Sequence, residues 1–228
     1  QTVVATSQVP LYVNDPVAVT AEGTPVRIVR NAETNLGDLC ADAYRALSNA
    51  DIAFVNGGGI RKQIEAGDIP LDDIYSVHPF GNTMCVIRVT GQQVLDALEW
   101  GARAVPSENG GFLQVSGLTY EIHTGVASSA EKDENGMFTR VSGEYRVKNV
   151  MVGGQPLELD KTYTLASHNY MLLGHGDGYT MFDGCEVLGE DMMVDNQVLI
   201  TYITTTLGGV VGEQYANPYG DGRIAAVE

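Results

Sequence analysis

The apolar positions of this chain change period several times. In "NLGDLCADAYRALSNA", Leu36, Leu39, Cys40, Ala43 and Leu47 recur at intervals of three and four, which predicts an amphipathic helix. "DIAFVN" is short, partly β-branched and closed by glycines, so it predicts a buried strand, and "TMCVIRVT" predicts another. Thr90 and Gln93 form the T-x-x-Q pattern of a capping box, so a helix is expected through "QQVLDALEWGARA". "FLQVSGLTYEIHT" alternates like one half-buried strand, "GEYRVKNVMVGGQPLEL" reads as a hairpin turning at Gly153 and Gly154, and "TYTLASHNYM" predicts a further strand. Near the end, Asp195 is the expected cap of a helix through "NQVLITYITTTL", where Val198, Leu199, Tyr202, Ile203 and Leu207 share a face; its threonines keep a strand as the rival.

Helices and strands interleave, but several strands are joined by short hairpins. That combination points to an α+β fold, a layered domain of mixed sheet and helix, rather than a purely parallel sheet. There is no internal repeat, low-complexity tract or obvious interdomain linker, and 228 residues could form one large domain or two small ones.

With 228 residues and 44% hydrophobic content, the chain can bury a substantial core. No apolar stretch approaches the roughly 18 residues a membrane helix needs, so direct membrane insertion is not expected. The opening "QTVVATSQVP" lacks a basic flank and a long apolar run and is not read as a signal peptide. A formal charge of −16 argues against nucleic acid or an anionic membrane as partner. Any anion site must therefore be local, a few arginines within a negative field. Cys40, Cys85 and Cys185 are widely spaced and odd in number, which fits buried free thiols rather than a metal motif or disulfide framework.

Common catalytic and nucleotide motifs are missing: no G-x-x-x-x-G-K-[ST], H-E-x-x-H, G-x-S-x-G or C-x-x-C occurs. His78, His123, His168 and His175 are not spaced as local metal ligands, and each alone reads as a hydrogen-bonded structural residue. "GHGDG" does not open a βαβ unit, so it is not a dinucleotide fingerprint. "NGGGIR" leaves two readings open: a strand-ending turn, or a loop that lets a ligand touch backbone while Arg61 offers a planar cationic fork. "VRNAETN", "NGGGIR", "HPFGN" and "HNYMLLGHGDGYTMF" together bring cations, a carboxylate and two aromatics, the groups a nucleotide site needs.

These four segments, in this order and at these intervals, resemble the C-terminal domain of the 5′-nucleotidase family, which includes periplasmic and surface nucleotidases, UDP-sugar hydrolases and cyclic-nucleotide phosphodiesterases. The resemblance runs from "VVATSQVPL" to "GDGRI", with "ETNLGDLCADA", "NGGGIR" and "PFGN" specific in combination. It implies a nucleotide- or nucleoside-recognition domain of an extracellular, periplasmic or cell-surface phosphohydrolase. The partner would be an N-terminal metallophosphoesterase domain of the same polypeptide, holding two divalent metals such as Zn or Mn and a catalytic His-Asp pair. This chain itself is expected to hold no catalytic residue and no metal, and to be inactive alone. A non-catalytic surface binding module, and UDP-sugar or cyclic-nucleotide specificity, stand as alternatives.

Residue by residue, the resemblance implies that Phe80 and Tyr170 stack the base between them. It makes Arg61 and Arg30 phosphate-directed, with Arg27 the rival of Arg30, and places Asn56 near the base. Asp177 would accept hydrogen bonds from ribose hydroxyls, and Gly58 and Asn82 complete the substrate-binding set. One departure stands out: "LLGHGDGY" has His175 where the family pattern has glycine, and one residue extra.

Overall fold

The computed structural model describes all 228 residues. Its strands are β1 (Val3–Ser7), β2 (Ile52–Asn56), β3 (Gly67–Pro70), β4 (Met84–Thr90), β5 (Leu113–Ser116), β6 (Leu118–His123), β7 (Ala130–Lys132), β8 (Phe138–Val141), β9 (Val147–Val152), β10 (Gln155–Pro156), β11 (Thr162–His168), β12 (Val187–Gly189), β13 (Val210–Val211) and β14 (Ile224–Val227). The helices are α1 (Asn35–Ser48), α2 (Leu71–Val77), α3 (Gly91–Ala102), α4 (Asn169–Leu172) and α5 (Asp195–Thr201).

A five-stranded mixed sheet, ordered β12-β4-β11-β2-β5, is the middle layer. β11 runs parallel to β2 and antiparallel to β4. β2 is buried along its whole length because its side chains alternate between two cores. Ala53 and Val55 join α1, α5 and the β13-β1-β3 sheet on one side. Ile52 and Phe54 join α3 and the β10-β9-β6-β14 sheet on the other. This is the α+β layered fold that the interleaved pattern predicts.

Local chemistry accounts for the main elements. Thr34 caps α1, its hydroxyl accepting from Gly37 N at 2.9 Å. The capping box of α3 is complete: Gln93 N donates to Thr90 Oγ1 at 3.2 Å, and Thr90 N donates to Gln93 Oε1 at 2.9 Å. Gly153 and Gly154, both at positive φ, turn the β9–β10 hairpin as expected.

Four expectations are corrected. The alternating run after Phe112 is two strands, broken at Gly117 (φ +79°), because β5 belongs to the middle sheet and β6 to an outer one. A Cβ at Gly117 would lie 2.1 Å from the Asp51 carbonyl oxygen, so only glycine lets the chain cross between layers there. β11 ends at His168 rather than continuing through Tyr170, since Asn169 turns its Oδ1 to accept from Thr83 N at 2.8 Å and begins α4. The final helix forms, continuing as a π-helical turn over Tyr202–Thr206, but Val194 occupies its cap position. Asp195 is the first helical residue, and its carboxylate is engaged elsewhere, accepting from Asn82 N at 3.1 Å and Asn196 N at 2.7 Å. Cys40 and Cys85 are buried free thiols, whereas Cys185 is only half-buried, against Gln93.

Candidate functional site

The loops at one end of the middle sheet enclose a cavity of about 450 Å³. Strand β2 delivers Asn56 to its wall and continues into the glycine run. Part of that run serves packing within the chain. A Cβ on Gly57 would lie 2.1 Å from the Val29 carbonyl oxygen, so the bare position lets the 28–30 turn rest on the end of β2 and brings Arg30 to the cavity. Gly58 donates its N–H to the Gly110 carbonyl at 2.8 Å, and a Cβ there would meet Gly110 backbone at 3.0 Å. Gly58, Gly59 and Gly110 then line the cavity with little but backbone.

Arg30 and Arg61 both face this space, and neither forms an ion pair within the chain. Arg27, the alternative to Arg30, is instead committed to Glu108, Nη2 to Oε2 at 3.2 Å. Burial, and then the cations Arg27 and Arg61, push the Arg30 guanidinium below its ordinary value, with Glu108 and Asp177 pulling the other way. This is a locally positive wall in an acidic protein.

Phe80 is 59% exposed and Tyr170 45%, high for large rings, and both line the same cavity. Phe80 is therefore no part of a core; Arg61 lies over its face at 5.8 Å from the centroid. Tyr170 rests on Gly176, where any Cβ would lie 2.4 Å from the ring. The "GHGDG" turn thus keeps glycine where the ring needs space, with His175 and Asp177 both in left-handed backbone (φ +58° and +57°). His175 points away from the cavity wall and pairs with Asp183.

Asp177 is fixed from two sides. Trp100 Nε1 donates to its carbonyl at 2.8 Å, and Asn56 Nδ2 donates to its Oδ2 at 2.7 Å. The Tyr170 hydroxyl donates more loosely to Oδ1, at 3.4 Å. Asn82 also reaches the cavity, so all eight residues named from the sequence border one space.

Three further side chains border it that sequence reasoning left out: His78, His168 and Asp195. His78 Nδ1 bonds the Gly59 carbonyl at 2.8 Å and steadies the glycine run. His168 Nε2 bonds Asn56 Oδ1 at 2.7 Å. Burial holds His168 down to about 3 and lowers His78 as well, so both rings are neutral at pH 7. Burial raises Asp195 above the ordinary carboxylate range, with His78 opposing. A signal for the histidines was present: each stands two residues before a cavity aromatic, in "HPF" and "HNY".

The sequence profile of the family "5'-nucleotidase, C-terminal domain" matches residues 3–184. A trifunctional nucleotide phosphoesterase protein of Bacillus subtilis, YfkN, is 36% identical over 203 residues, which are 87% of this chain and 13% of that protein. A 5'-nucleotidase of Vibrio cholerae is 33% identical over 176 residues, 77% of this chain and 28% of its own length. Among solved structures, a 5'-nucleotidase precursor from Thermus thermophilus superposes over 100% of this chain and 40% of its own, with a TM-score of 0.79 and 30% identity. The chain therefore spans less than half the length of each of these relatives.

Proposed function

The chain belongs to the 5'-nucleotidase C-terminal domain family, and from that premise we propose that it recognises a nucleotide and presents it for phosphate-ester hydrolysis. The observation that carries this reading is the convergence in one cavity of two unpaired guanidiniums, two exposed aromatic rings and the Asp177 carboxylate. A flat base fits between Phe80 and Tyr170, Asp177 accepts from the sugar hydroxyls, and Arg30 and Arg61 meet the phosphate. Stacking accepts any base because each has a π face. A guanidinium suits phosphate because its planar fork donates to two oxygens at once.

The cavity does not fit a dimetal centre. Its two carboxylates, Asp177 and Asp195, already accept hydrogen bonds from Asn56, Asn82 and Asn196, and two guanidiniums share the space. Glu33, Asp38 and Asp221 do come together, but Arg223 lies against them, and none of the three lines the cavity. The reading therefore assigns water activation by two metals to a separate metallophosphoesterase domain of the longer polypeptide, in a secreted or periplasmic enzyme. The length of the relatives supports that assignment.

Calorimetry with AMP and adenosine tests the reading. Arg61→Lys keeps the charge but loses the fork, so AMP affinity should fall while adenosine affinity stays within error. Equal losses for both ligands would remove Arg61 from the phosphate and return "NGGGIR" to being a turn. Phe80→Ala and Tyr170→Ala should each weaken adenosine by roughly 1–3 kcal/mol through lost stacking. Phe80 carries little of the core, so its variant should melt as the wild type does. Unchanged adenosine affinity in both variants would mean the rings do not clamp the base.

A further inference from the structure

Three side chains, from two distant parts of the sequence, form a hydrogen-bonded series at the buried edge of the cavity. A carboxylate can only accept, so the 2.7 Å contact of Asp177 with the Asn56 amide identifies the nearer amide atom as the donor Nδ2. Asn56 Oδ1 then faces His168, and a carbonyl oxygen also only accepts. The second 2.7 Å contact therefore places the ring proton on His168 Nε2. The imidazole is 5% exposed, and its Nδ1 has no hydrogen-bond partner.

We propose that His168 is a positioning residue: by donating from Nε2 to Asn56 Oδ1 it locks the amide with Nδ2 aimed at Asp177, and so holds that carboxylate where it accepts a pair of sugar hydroxyls. This rests on the nucleotide reading above.

The lock matters because little else orients the Asp177 side chain. Its backbone is anchored through Trp100, but its carboxylate has one close donor, Asn56, and the distant Tyr170 hydroxyl. Without His168, the Asn56 amide is free to turn over. The flipped amide would set Oδ1 against the carboxylate, oxygen to oxygen, and the carboxylate would swing away from it. While His168 carries its proton on Nε2 the flip is closed off, since Nδ2 would then meet Nε2–H, donor to donor. His168 achieves this from a buried ring whose centroid is 6.0 Å from that of Tyr170.

The experiment is calorimetry on the 228-residue chain with adenosine and 2′,3′-dideoxyadenosine, which lacks the hydroxyl pair. The wild type should prefer adenosine. His168→Phe keeps a flat ring but no donor; it should weaken adenosine about tenfold, the effect of one hydrogen bond, and dideoxyadenosine less than about twofold. His168→Gln carries an amide Nε2 close to where the imidazole Nε2 stands, and should restore most of the adenosine affinity. Equal losses for the two nucleosides, or a Gln variant no better than Phe, would overturn the positioning role. A measurement on unaltered protein guards against variants that fail to fold: ¹⁵N spectra should show His168 as the neutral Nε2–H tautomer, and an Nδ1–H tautomer would sink the proposal outright. A wild-type chain that binds neither nucleoside, or both alike, overturns the nucleoside reading itself and the proposal with it, and is told apart by needing no variant.

Discussion

Arg223→Ala should cost about 3–5 kcal/mol of unfolding free energy, the range for removing one member of a buried ion pair. The Arg223 side chain is 14% exposed and ties the closing "GDGRI" segment to helix α1. Nη1 and Nη2 donate to the two Asp42 oxygens at 2.7 and 3.0 Å, Nη1 also donates to the Val115 carbonyl at 2.9 Å, and Nε donates to Asp221 at 3.0 Å. Asp38, 2% exposed, lies 3.5 Å from Nε. Burial, a hydrogen bond with Glu33 and nearby acids push the Asp38 carboxyl up to about 10, and Arg223 is the charge that opposes them. Without the guanidinium, Asp42 keeps its bonds from Tyr215 and Ser116 but loses its counter-charge. Urea unfolding of wild type and variant measures the difference. A loss below about 1 kcal/mol would class these contacts with exposed surface pairs.

The other large effect lies on the acid side of neutrality. His168 titrates near 3 in the folded chain, mainly because burial disfavours its charged form, against about 6.5 unfolded. Between those values the unfolded chain binds more protons. The stability His168 contributes is therefore fully present above about pH 6.5 and is lost as pH falls toward 3. His78 acts in the same direction, its burial outweighing the Gly59 bond and the Asp195 charge. Asp38, Glu99 and Asp195 are raised by burial and act oppositely, losing stability as pH rises. Comparing wild type with His168→Gln isolates the histidine. The stability of the wild type relative to the variant should fall as pH falls from about 7 to 4, by up to roughly 3 kcal/mol at the lower end. Parallel curves would show that the ring is not held neutral.

What could be read from the sequence was what is encoded within a few residues. Thr90 and Gln93 are three apart, and the capping box they suggest is the one that forms. Gly153 and Gly154 turn the hairpin they suggest. The break at Gly117 was hidden because apolar alternation runs through it, and its cause, the Asp51 carbonyl, lies in another element. The site divides along the same line. Four loops carry recognisable combinations, and the residues they supply do border one cavity. His168 was invisible as a partner because its acceptor, Asn56, is 112 positions away and is met only when β11 pairs with β2. Asp195 looked like a helix cap since its sequence context is that of a cap; the carboxylate's link to Asn82 spans 113 positions and reverses that reading.

The place of β11 in the middle sheet also sets an order of events during synthesis. β11 separates β4 from β2, so until residues 162–168 have been made the sheet lacks its central strand. Helix α1 likewise keeps Asp42 without its cation until Arg223 emerges. Pairings this distant in sequence are slow to form, because a long loop must close before any contact rewards it. From the emergence of Phe80 to that of Tyr170, 90 positions later, Arg30, Asn56, Arg61 and Phe80 have nothing opposite them. The cavity therefore closes late and all at once, when the segment carrying His168, Tyr170 and Asp177 docks.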